Sequence, residues 1–296
     1  MVLNIKRASS LDGAAIDVHD VLKPFDHQVG GHTPFTSLPN GHLLKPCHER
    51  ELIYYQNMPE CIKSIVPLCC TTIQGGSVNN LTNSCTNCRS HQLENIVIPE
   101  SIEGSPILNK RKLSKNFIII SDLTYRMKSP RILDLKLGTR QHGDHATTAK
   151  VACMTAKCQA TTSAMLGIRL CGMKYDNVTI SKYDGRSMNE MELYRALRAF
   201  FDVSTDIVEE ARRKMKMIRE VLCGCDGIRL FGASLLIVIE GDQDAHETIP
   251  LHNLVRIKIV DFANATFNGF LDDNSYHGID EGSILGLDTI DRFLAI

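Results

Sequence analysis

One stretch in the middle of the chain constrains its fold and chemistry more than any other: residues 130–138, which read P-R-I-L-D-L-K-L-G. The stretch predicts a strand that ends on an acid and a base, Asp134 and Lys136, two residues apart. Side chains at that spacing point to the same side of a strand. Such a pair suits phosphoryl transfer, because one group can orient or deprotonate the acceptor while the other neutralises charge on the moving phosphoryl group. An isolated D-x-K is more often a surface salt bridge, so the neighbouring sequence decides between these interpretations.

The sequence after this strand is rich in cationic groups. The next seven residues read T-R-Q-H-G-D-H, and residues 145–161 have helical composition, with several alanines and neither glycine nor proline. Lys150 and Lys157 are seven residues apart and therefore share one face of the predicted helix. With Arg140 and His142 just before the helix, four groups that can carry positive charge could converge on one anionic ligand. The alternative is a solvated helix face, but the helix directly follows the D-x-K strand, so we favour a binding role.

This region resembles a known family. P-x-x-x-D-x-K-x-G is the signature of the inositol polyphosphate kinases, and the longer run L-D-L-K-L-G-T-R-Q-H-G-D is similar to the inositol hexakisphosphate kinase branch. Further segments that resemble the family follow in order along most of the chain: H-Q-V-G-G-H at 27–32, K-P at 45–46, R-E-L at 50–52, T-S-A-M-L-G-I-R-L-C-G-M at 162–173, G-A-S-L-L at 232–236, D-F-A at 261–263 and G-L-D at 286–288.

The resemblance implies an α+β, two-lobed kinase-like fold of the inositol polyphosphate kinase and SAICAR synthase-like type, with ATP in the cleft between the lobes. Residues 1–20 are then an N-terminal leader. The N-lobe covers residues 21–121 and contains a loop insertion at about 71–115, which is rich in Asn, Ser, Thr and Gly. The C-lobe covers residues 122–296 and carries the helix that binds inositol phosphates.

The first part of the N-lobe offers a nucleotide-binding lysine. Residues 21–46 predict a strand, a glycine-containing turn and a second strand that ends at Lys45. The Gly-Gly pair that begins at Gly30 is either a hairpin turn or a loop whose backbone approaches nucleotide phosphates, and the resemblance favours the second. A short helix is predicted over 48–58. Its Glu51 is either an exposed charge or a carboxylate that holds Lys45, as in protein kinases.

A hinge between the lobes is predicted after residues 116–121, N-F-I-I-I-S, which read as a buried strand. Asp122 and Leu123 follow this strand, and we expect both to contact ATP. A carboxylate at Asp122 can accept hydrogen bonds from ribose hydroxyl groups, whereas adenine recognition at a hinge uses mainly backbone groups. Ser121 stands where the family often has an acidic residue.

The C-terminal half contains two predicted strands, at 228–239 and 255–260, joined by a turn near Gly241. The second strand ends on Asp261. A carboxylate at a strand end beside a cleft can bind Mg²⁺, although an aspartate is also common at the start of a turn. Kinases place a metal-binding Asp-Phe pair at this stage of the fold, so we expect Asp261 to bind Mg²⁺ and, with it, ATP. Asn264 stands where the family often has a histidine.

The resemblance also implies a reaction, in which ATP and Mg²⁺ convert inositol hexakisphosphate to a diphosphoinositol. Lys45 would hold the α- and β-phosphates, Lys136 would stabilise the γ-phosphoryl group, and the four cationic groups would bind the inositol polyphosphate. Asp134 would act as a base only for a hydroxyl acceptor. Two alternatives are a kinase of lower inositol phosphates, which acts on a ring hydroxyl, and a non-catalytic inositol polyphosphate-binding module. The module is disfavoured because Lys45, Asp134, Lys136 and Asp261 are all present.

Composition excludes several other classes. The formal net charge of −1 does not indicate nucleic-acid binding, so any polyanion site must be a local basic cluster. The sequence has no apolar run of about 18 residues, so we expect no membrane insertion, and its N-terminus does not resemble a signal peptide. A cytoplasmic or nuclear protein is expected, and the sequence does not identify which proteins, if any, are its partners.

The eleven cysteines do not predict a disulfide framework in a chain of 296 residues without an export signal. Cys85 and Cys88 form one C-x-x-C motif, followed by His91, which raises the possibility of zinc. A single pair of this kind is a weak zinc signal. We therefore expect no structural zinc.

Overall fold

The computed structural model describes residues 23–31, 33–38, 41–81 and 116–295, and the chain forms two antiparallel sheets. The N-lobe sheet consists of β1 (Lys23–Pro24), β2 (Thr36–Leu38), β3 (His42–Pro46), β4 (Cys69–Gln74), β5 (Ser77–Asn80) and β6 (Asn116–Ser121). Their order across the sheet is β1-β2-β3-β6-β4-β5.

The central position of β6 follows from its three successive isoleucines, which are buried on both faces of the sheet. Ile119 packs on one side in a small apolar cluster of the N-lobe. Ile118 and Ile120 face the main core, where they pack with helix α1 (Glu49–Asn57) and a 3-10 helix (Glu60–Ile65). The same apolar cluster continues into the C-lobe, so the two lobes share one core.

The C-lobe sheet places the D-x-K strand at its centre. Its strands are β7 (Pro130–Leu137), β8 (Ile168–Tyr175), β9 (Val178–Ile180), β10 (Ser234–Glu240) and β11 (Val255–Val260), in the order β11-β10-β7-β8-β9. Leu133, Leu135 and Leu137 of β7 are fully buried in the core. Because side chains alternate along a strand, Asp134 and Lys136 lie on the opposite face.

Helices cover the apolar face of this sheet and flank its ends. They are α2 (Thr148–Gln159), α3 (Ser163–Leu166), α4 (Lys182–Ser187), α5 (Glu190–Phe200), α6 (Thr205–Cys223), α7 (Gln243–Thr248), α8 (Leu251–Leu254) and α9 (Glu281–Leu294). Leu193, Leu197 and Phe200 recur at helical spacing on α5 and are fully buried in the core. None of the described helices is long and apolar enough to cross a membrane.

The predicted α+β, two-lobed fold is confirmed, and several elements match closely. The strands predicted at 116–121 and 255–260 have those bounds in the structure. The predicted helix at 145–161 is shorter, because Thr147 caps it by accepting a hydrogen bond from the Lys150 amide.

Three predicted boundaries were wrong. Residues 71–80, assigned to the polar insertion, form most of the β4–β5 hairpin. The predicted strand at 228–239 begins only at Ser234, because Gly232 has φ 71° and turns the chain. The predicted turn near Gly241 is longer and contains α7 and α8. The leader at 1–20, most of the insertion, and the Cys85 and Cys88 pair lie outside the described residues.

Candidate active site

The face of the C-lobe sheet that carries the D-x-K pair forms the floor of the site. Lys136 pairs with Ser234 of β10 on one side and with Arg169 of β8 on the other. Residues paired directly across antiparallel strands lie on the same face. Asp134 pairs with Gly172, next to an irregularity in the register of β7 and β8. The floor therefore combines one carboxylate with two neighbouring cations.

A glycine loop lies directly over the carboxylate of Asp134. A methyl group on Gly30 would lie 2.0 Å from Asp134 Oδ2, and one on Gly172 would lie 2.1 Å from the Val29 carbonyl oxygen. Both contacts are too close for any residue with a Cβ. Gln28 holds the loop from inside, since its Nε2 donates to the carbonyl of Gly30 at 2.8 Å. The predicted Gly-Gly loop thus approaches β7 at Asp134.

Enclosure by this loop changes the acidity of Asp134. The side chain is buried, and its Oδ1 has no hydrogen-bond partner within the described residues. Burial raises the pKa of Asp134 to about 6, the charge of Lys136 opposes this shift, and the nearby Asp261 adds to it. The carboxyl group is therefore poised to exchange a proton near neutral pH.

This pKa gives the first testable prediction, which concerns stability without nucleotide or metal. The folded-state pKa lies above the ordinary value of 3.8, so the group favours folding fully below that value and loses this contribution as pH rises through about 6. Asp134→Asn, which has no such loss, should gain about 2–3 kcal/mol of unfolding free energy relative to the parent between about pH 4 and pH 7. Denaturant titrations across this range measure the difference.

The matched control is Asp244→Asn, because Asp244 is an exposed aspartate on α7. Its difference in stability from the parent should stay nearly constant over the same pH range. A pH-independent difference for Asp134→Asn would show that the folded chain does not raise the pKa of Asp134.

An ion triad around the buried side chain of Lys45 joins the two lobes. Lys45 Nζ lies 2.7 Å from Glu51 Oε1 and 2.6 Å from Asp261 Oδ1. Burial lowers the pKa of Lys45, but the carboxylates of Asp261 and Glu51 outweigh this effect and raise it well above its ordinary value. Glu51 also accepts the Phe262 amide at 3.3 Å. Of the two interpretations of Glu51, the structure shows the carboxylate that holds Lys45.

The carboxylates near Lys45 fit a divalent cation that is completed by substrate phosphates. Asp261 follows β11 with φ 69°, a conformation that aspartate tolerates better than most residues. Asp134 lies close enough to Asp261 for the two charges to interact. The described residues contain no group of three or more His, Cys, Asp or Glu side chains that could hold a metal alone. Mg²⁺ is commonly bound by one or two carboxylates together with phosphates, which matches this pair.

Lys136 is held at the end of its strand. Its Nζ donates to the carbonyl of Gly232 at 2.6 Å. A methyl group on Gly232 would lie 2.9 Å from Asn264 Nδ2 and from the Gln141 carbonyl oxygen. Lys136 therefore lies where the loop after β7 meets the segment after Asp261, and Asn264 is part of that junction.

The predicted hinge residues are fixed by hydrogen bonds. The Asp122 amide donates to the Gly41 carbonyl, and Asp122 Oδ1 accepts both the amide and the hydroxyl of Thr124 at 2.7 Å. The carbonyl of Leu123 accepts from Arg256 at 2.9 Å. These contacts join β6 to the C-lobe, and the contacts of Asp122 and Leu123 with ATP stay a prediction.

The guanidinium group of Arg140 already has several partners within the protein, so it is not a freely available substrate-binding group. Its guanidinium stacks on Phe231 at 4.0 Å and binds Asp144 at 2.6 Å and the Tyr276 hydroxyl at 3.1 Å. Its Nε donates to the backbone carbonyl of His142, and the side chain of His142 is half-buried. Arg140 thus organises the loop between β7 and α2, in addition to any contact with a ligand.

The two helix lysines are better placed for a ligand. Lys150 is exposed in the first turn of α2, and Lys157 is half-buried in its last turn. Neither forms a salt bridge to a carboxylate of the described residues; Lys157 Nζ has only the Met154 sulfur nearby, at 4.0 Å. Both ammonium groups are therefore available to anions.

Sequence reasoning did not assign a role to Arg169, although it lies within the segment T-S-A-M-L-G-I-R-L-C-G-M. Arg169 is 4% exposed and lies opposite Lys136 in the sheet. The available signal was an arginine in an apolar strand. Only the pairing register of β7 and β8 shows that Arg169 lies beside Lys136.

Comparisons with known proteins agree on one family. A family model described as inositol polyphosphate kinase matches residues 117–295. Inositol hexakisphosphate kinase 1 of Rattus norvegicus is 32% identical over 221 residues, which cover 61% of this chain and 51% of that protein. The human protein of the same name is 23% identical over 405 aligned positions, which cover 91% of this chain and 92% of that protein. In the first of these alignments the chain spans about half the length of its curated relative.

A solved structure shows the same fold. The crystal structure of inositol phosphate multikinase from S. cerevisiae, in complex with ADP and Mn²⁺, superposes with a TM-score of 0.62 at 20% identity. The match covers 86% of this chain and 97% of the yeast chain. The two-lobed architecture is therefore shared with a nucleotide-bound relative.

Proposed function

The chain belongs to the inositol polyphosphate kinase family, and we propose that it transfers the γ-phosphoryl group of ATP to inositol hexakisphosphate, forming a diphosphoinositol. This proposal rests mainly on one observation: two sets of charged side chains lie close together. Asp134 and Lys136 lie beside the triad of Lys45, Glu51 and Asp261, and the lysines of α2 follow directly along the chain. The similarity to inositol hexakisphosphate kinases supports the choice of acceptor.

The N-lobe side of this site would bind the nucleotide. Lys45 would hold the α- and β-phosphates of ATP, and the hinge at Asp122 and Leu123 would contact the nucleoside. Mg²⁺ would be bound by Asp261, with Asp134 nearby, and would neutralise charge on the phosphates. Lys136 would stabilise the transferring γ-phosphoryl group, since its ammonium group is held at the end of β7.

The acceptor determines which groups matter most. A phosphate monoester is largely ionised near neutrality, because its second pKa is about 6. Formation of a pyrophosphate bond therefore needs little help from a base, and repulsion between two polyanions is the larger obstacle. Lys150, Lys157 and His142 would reduce that repulsion, and Arg140 would support the loop between them and Lys136.

A specific observation favours a second candidate, a kinase of lower inositol phosphates that acts on a ring hydroxyl. Burial raises the pKa of Asp134 to about 6. A carboxylate with a pKa near the working pH is an effective general base, and a hydroxyl acceptor must lose a proton. The same site could then phosphorylate both acceptor types, and the rate of transfer to a hydroxyl would depend on Asp134 more than the rate of transfer to a phosphate.

The deciding experiment supplies ATP, Mg²⁺ and inositol hexakisphosphate as the only acceptor, and then a trisphosphate in parallel. The proposal expects ATP-derived label in an acid-labile pyrophosphate. Label only in the trisphosphate would assign the chain to the hydroxyl-directed kinases. Binding of inositol phosphates without transfer to any of them would identify a non-catalytic module. A cytoplasmic or nuclear location remains part of this proposal.

The second testable prediction concerns the helix lysines. Lys150→Ala and Lys157→Ala should each raise the KM for hexakisphosphate by about fivefold to tenfold, since each loses one charged contact to the acceptor. The KM for ATP should change by less than about twofold. The increase should shrink at high salt, because screening weakens charge–charge attraction.

The control for these variants is Lys216→Ala, because Lys216 is an exposed lysine on α6. It should leave both KM values unchanged. Parent-like acceptor binding by both α2 variants would show that these lysines are solvated.

A further inference from the structure

Arg169 is a buried cation without a counter-charge among the described residues. Its side chain is 4% exposed, and its Nε has no hydrogen-bond partner there. Its Nη1 lies 3.3 Å from Thr161 Oγ1 and 3.5 Å from Ser163 Oγ, and the Cys171 side chain is a further hydrogen-bond neighbour of Arg169; none of these partners is a carboxylate. Removing a guanidinium group from water without a carboxylate partner is unfavourable. The burial of Arg169 is therefore not offset by an ion pair within the described residues, which points to a functional role.

One of these hydroxyls connects Arg169 to the end of α2. Thr161 Oγ1 lies 3.0 Å from the Lys157 carbonyl and 3.1 Å from the Cys158 carbonyl, and can donate to them. Carbonyl groups in the last turn of a helix carry the negative end of its dipole and need donors from outside the helix. A cation placed behind Thr161 therefore stabilises the last turn of α2 and compensates part of its own burial.

The other side of Arg169 is fixed to the catalytic strand. Arg169 pairs with Lys136 across β7 and β8, so both side chains project from the same face of the sheet. Arg169 thus lies between Lys136 and the last turn of α2, which carries Lys157. Arg169 and Thr161 thus link the strand that carries Lys136 to the helix turn that carries Lys157.

We propose that Arg169 is a positioning residue for the polyphosphate acceptor: through Thr161 it fixes the last turn of α2 against the catalytic strand, and so sets the spacing of Lys157 and Lys136. This inference rests on the proposed function, because it assumes that Lys157 binds the acceptor that receives the γ-phosphoryl group stabilised by Lys136. The ligand class is a ring that carries phosphates on neighbouring carbons. An acceptor with more phosphates makes more simultaneous contacts, so its binding depends more on this spacing.

The test compares Arg169→Met, which keeps the length of the side chain without its charge, with Thr161→Val, which keeps shape without the hydroxyl. Binding of inositol hexakisphosphate is measured by calorimetry, and the KM for ATP is measured separately. We expect Arg169→Met to raise the Kd for hexakisphosphate about tenfold and Thr161→Val to raise it about threefold. The double variant should be no weaker than Arg169→Met, because both changes break one connection. The KM for ATP should stay within about twofold of the parent.

Hydrogen exchange provides a readout of the mechanism. Amides in the last turn of α2 should exchange faster in Arg169→Met, while the thermal transition of the whole chain is unchanged or raised. The control is Arg229→Met. Arg229 is half-buried, and its guanidinium donates only to backbone carbonyls of residues 228, 277 and 278. This control should leave the Kd for hexakisphosphate unchanged.

The outcomes separate this inference from the proposed function. A parent-like Kd in folded Arg169→Met, or equal losses for ATP and hexakisphosphate, would overturn the role of Arg169. If Arg169→Met does not fold, Thr161→Val decides, and a parent-like Kd in that variant overturns it. Hexakisphosphate that binds through Arg169 but is never phosphorylated would overturn the proposed function alone. A parent chain that binds no inositol phosphate would overturn both.

Discussion

Replacing Asp261 with asparagine should reduce turnover by about a thousandfold or more while the fold stays intact, as expected when charge stabilisation of a phosphoryl transfer is lost. Asparagine keeps the shape of the side chain but removes the negative charge that would hold Mg²⁺. It also removes one of the two carboxylates that lie within 2.7 Å of Lys45. Initial rates at saturating ATP and Mg²⁺ measure the loss, and a melting curve verifies the fold.

Asp244→Asn serves again as the matched control, because it makes the same chemical change at an exposed position. It should retain the parent's turnover. Ordinary turnover in Asp261→Asn would exclude Asp261 as the essential metal ligand and would favour Asp134 in that role.

Replacing Lys136 with alanine should reduce turnover by about two to three orders of magnitude with either acceptor, the loss typical of removing one group that stabilises transition-state charge. Negative charge develops on the γ-phosphoryl group whether the acceptor is a phosphate or a hydroxyl. Asp134→Asn should behave differently. It should slow transfer to a hydroxyl acceptor strongly and transfer to hexakisphosphate much less, because only the hydroxyl has a proton to lose.

The measurement is turnover of both variants with hexakisphosphate and with a trisphosphate, each at saturating acceptor. A loss in Lys136→Ala that is confined to one acceptor would contradict a role on the γ-phosphoryl group. Equal losses in Asp134→Asn with both acceptors would contradict the role of a base and would favour a shared role of Asp134 and Asp261 in metal binding.

The sequence predicted best those elements whose pattern is local. The strand at 255–260 has alternating apolar residues, and Val255, Ile257 and Ile259 are buried as expected. The strand at 228–239 was drawn too long because its apolar residues form a continuous run, in which a turn leaves no periodic signal. Gly232 provides that turn through its positive φ.

In the candidate site, too, features with a local sequence pattern were predicted and features without one were not. The shared face of Asp134 and Lys136 follows from their spacing in one strand. The inward position of Arg140 depends on Phe231, Tyr276 and Asp144, and the first two lie 91 and 136 residues away along the chain. The approach of Gly30 to Asp134 likewise joins two lobes. Such contacts are set by packing between distant segments, which no local pattern encodes.

The ion triad of Lys45, Glu51 and Asp261 implies thermodynamic linkage between nucleotide and metal. Without ATP, the charge of Lys45 is already neutralised by two carboxylates. Nucleotide phosphates that attract Lys45 compete with Asp261 for it, and so release this carboxylate for a cation. ATP should therefore increase the affinity for Mg²⁺, and Mg²⁺ should increase the affinity for ATP by the same factor. Until both ligands are present, Lys45 and Asp261 are therefore paired with each other.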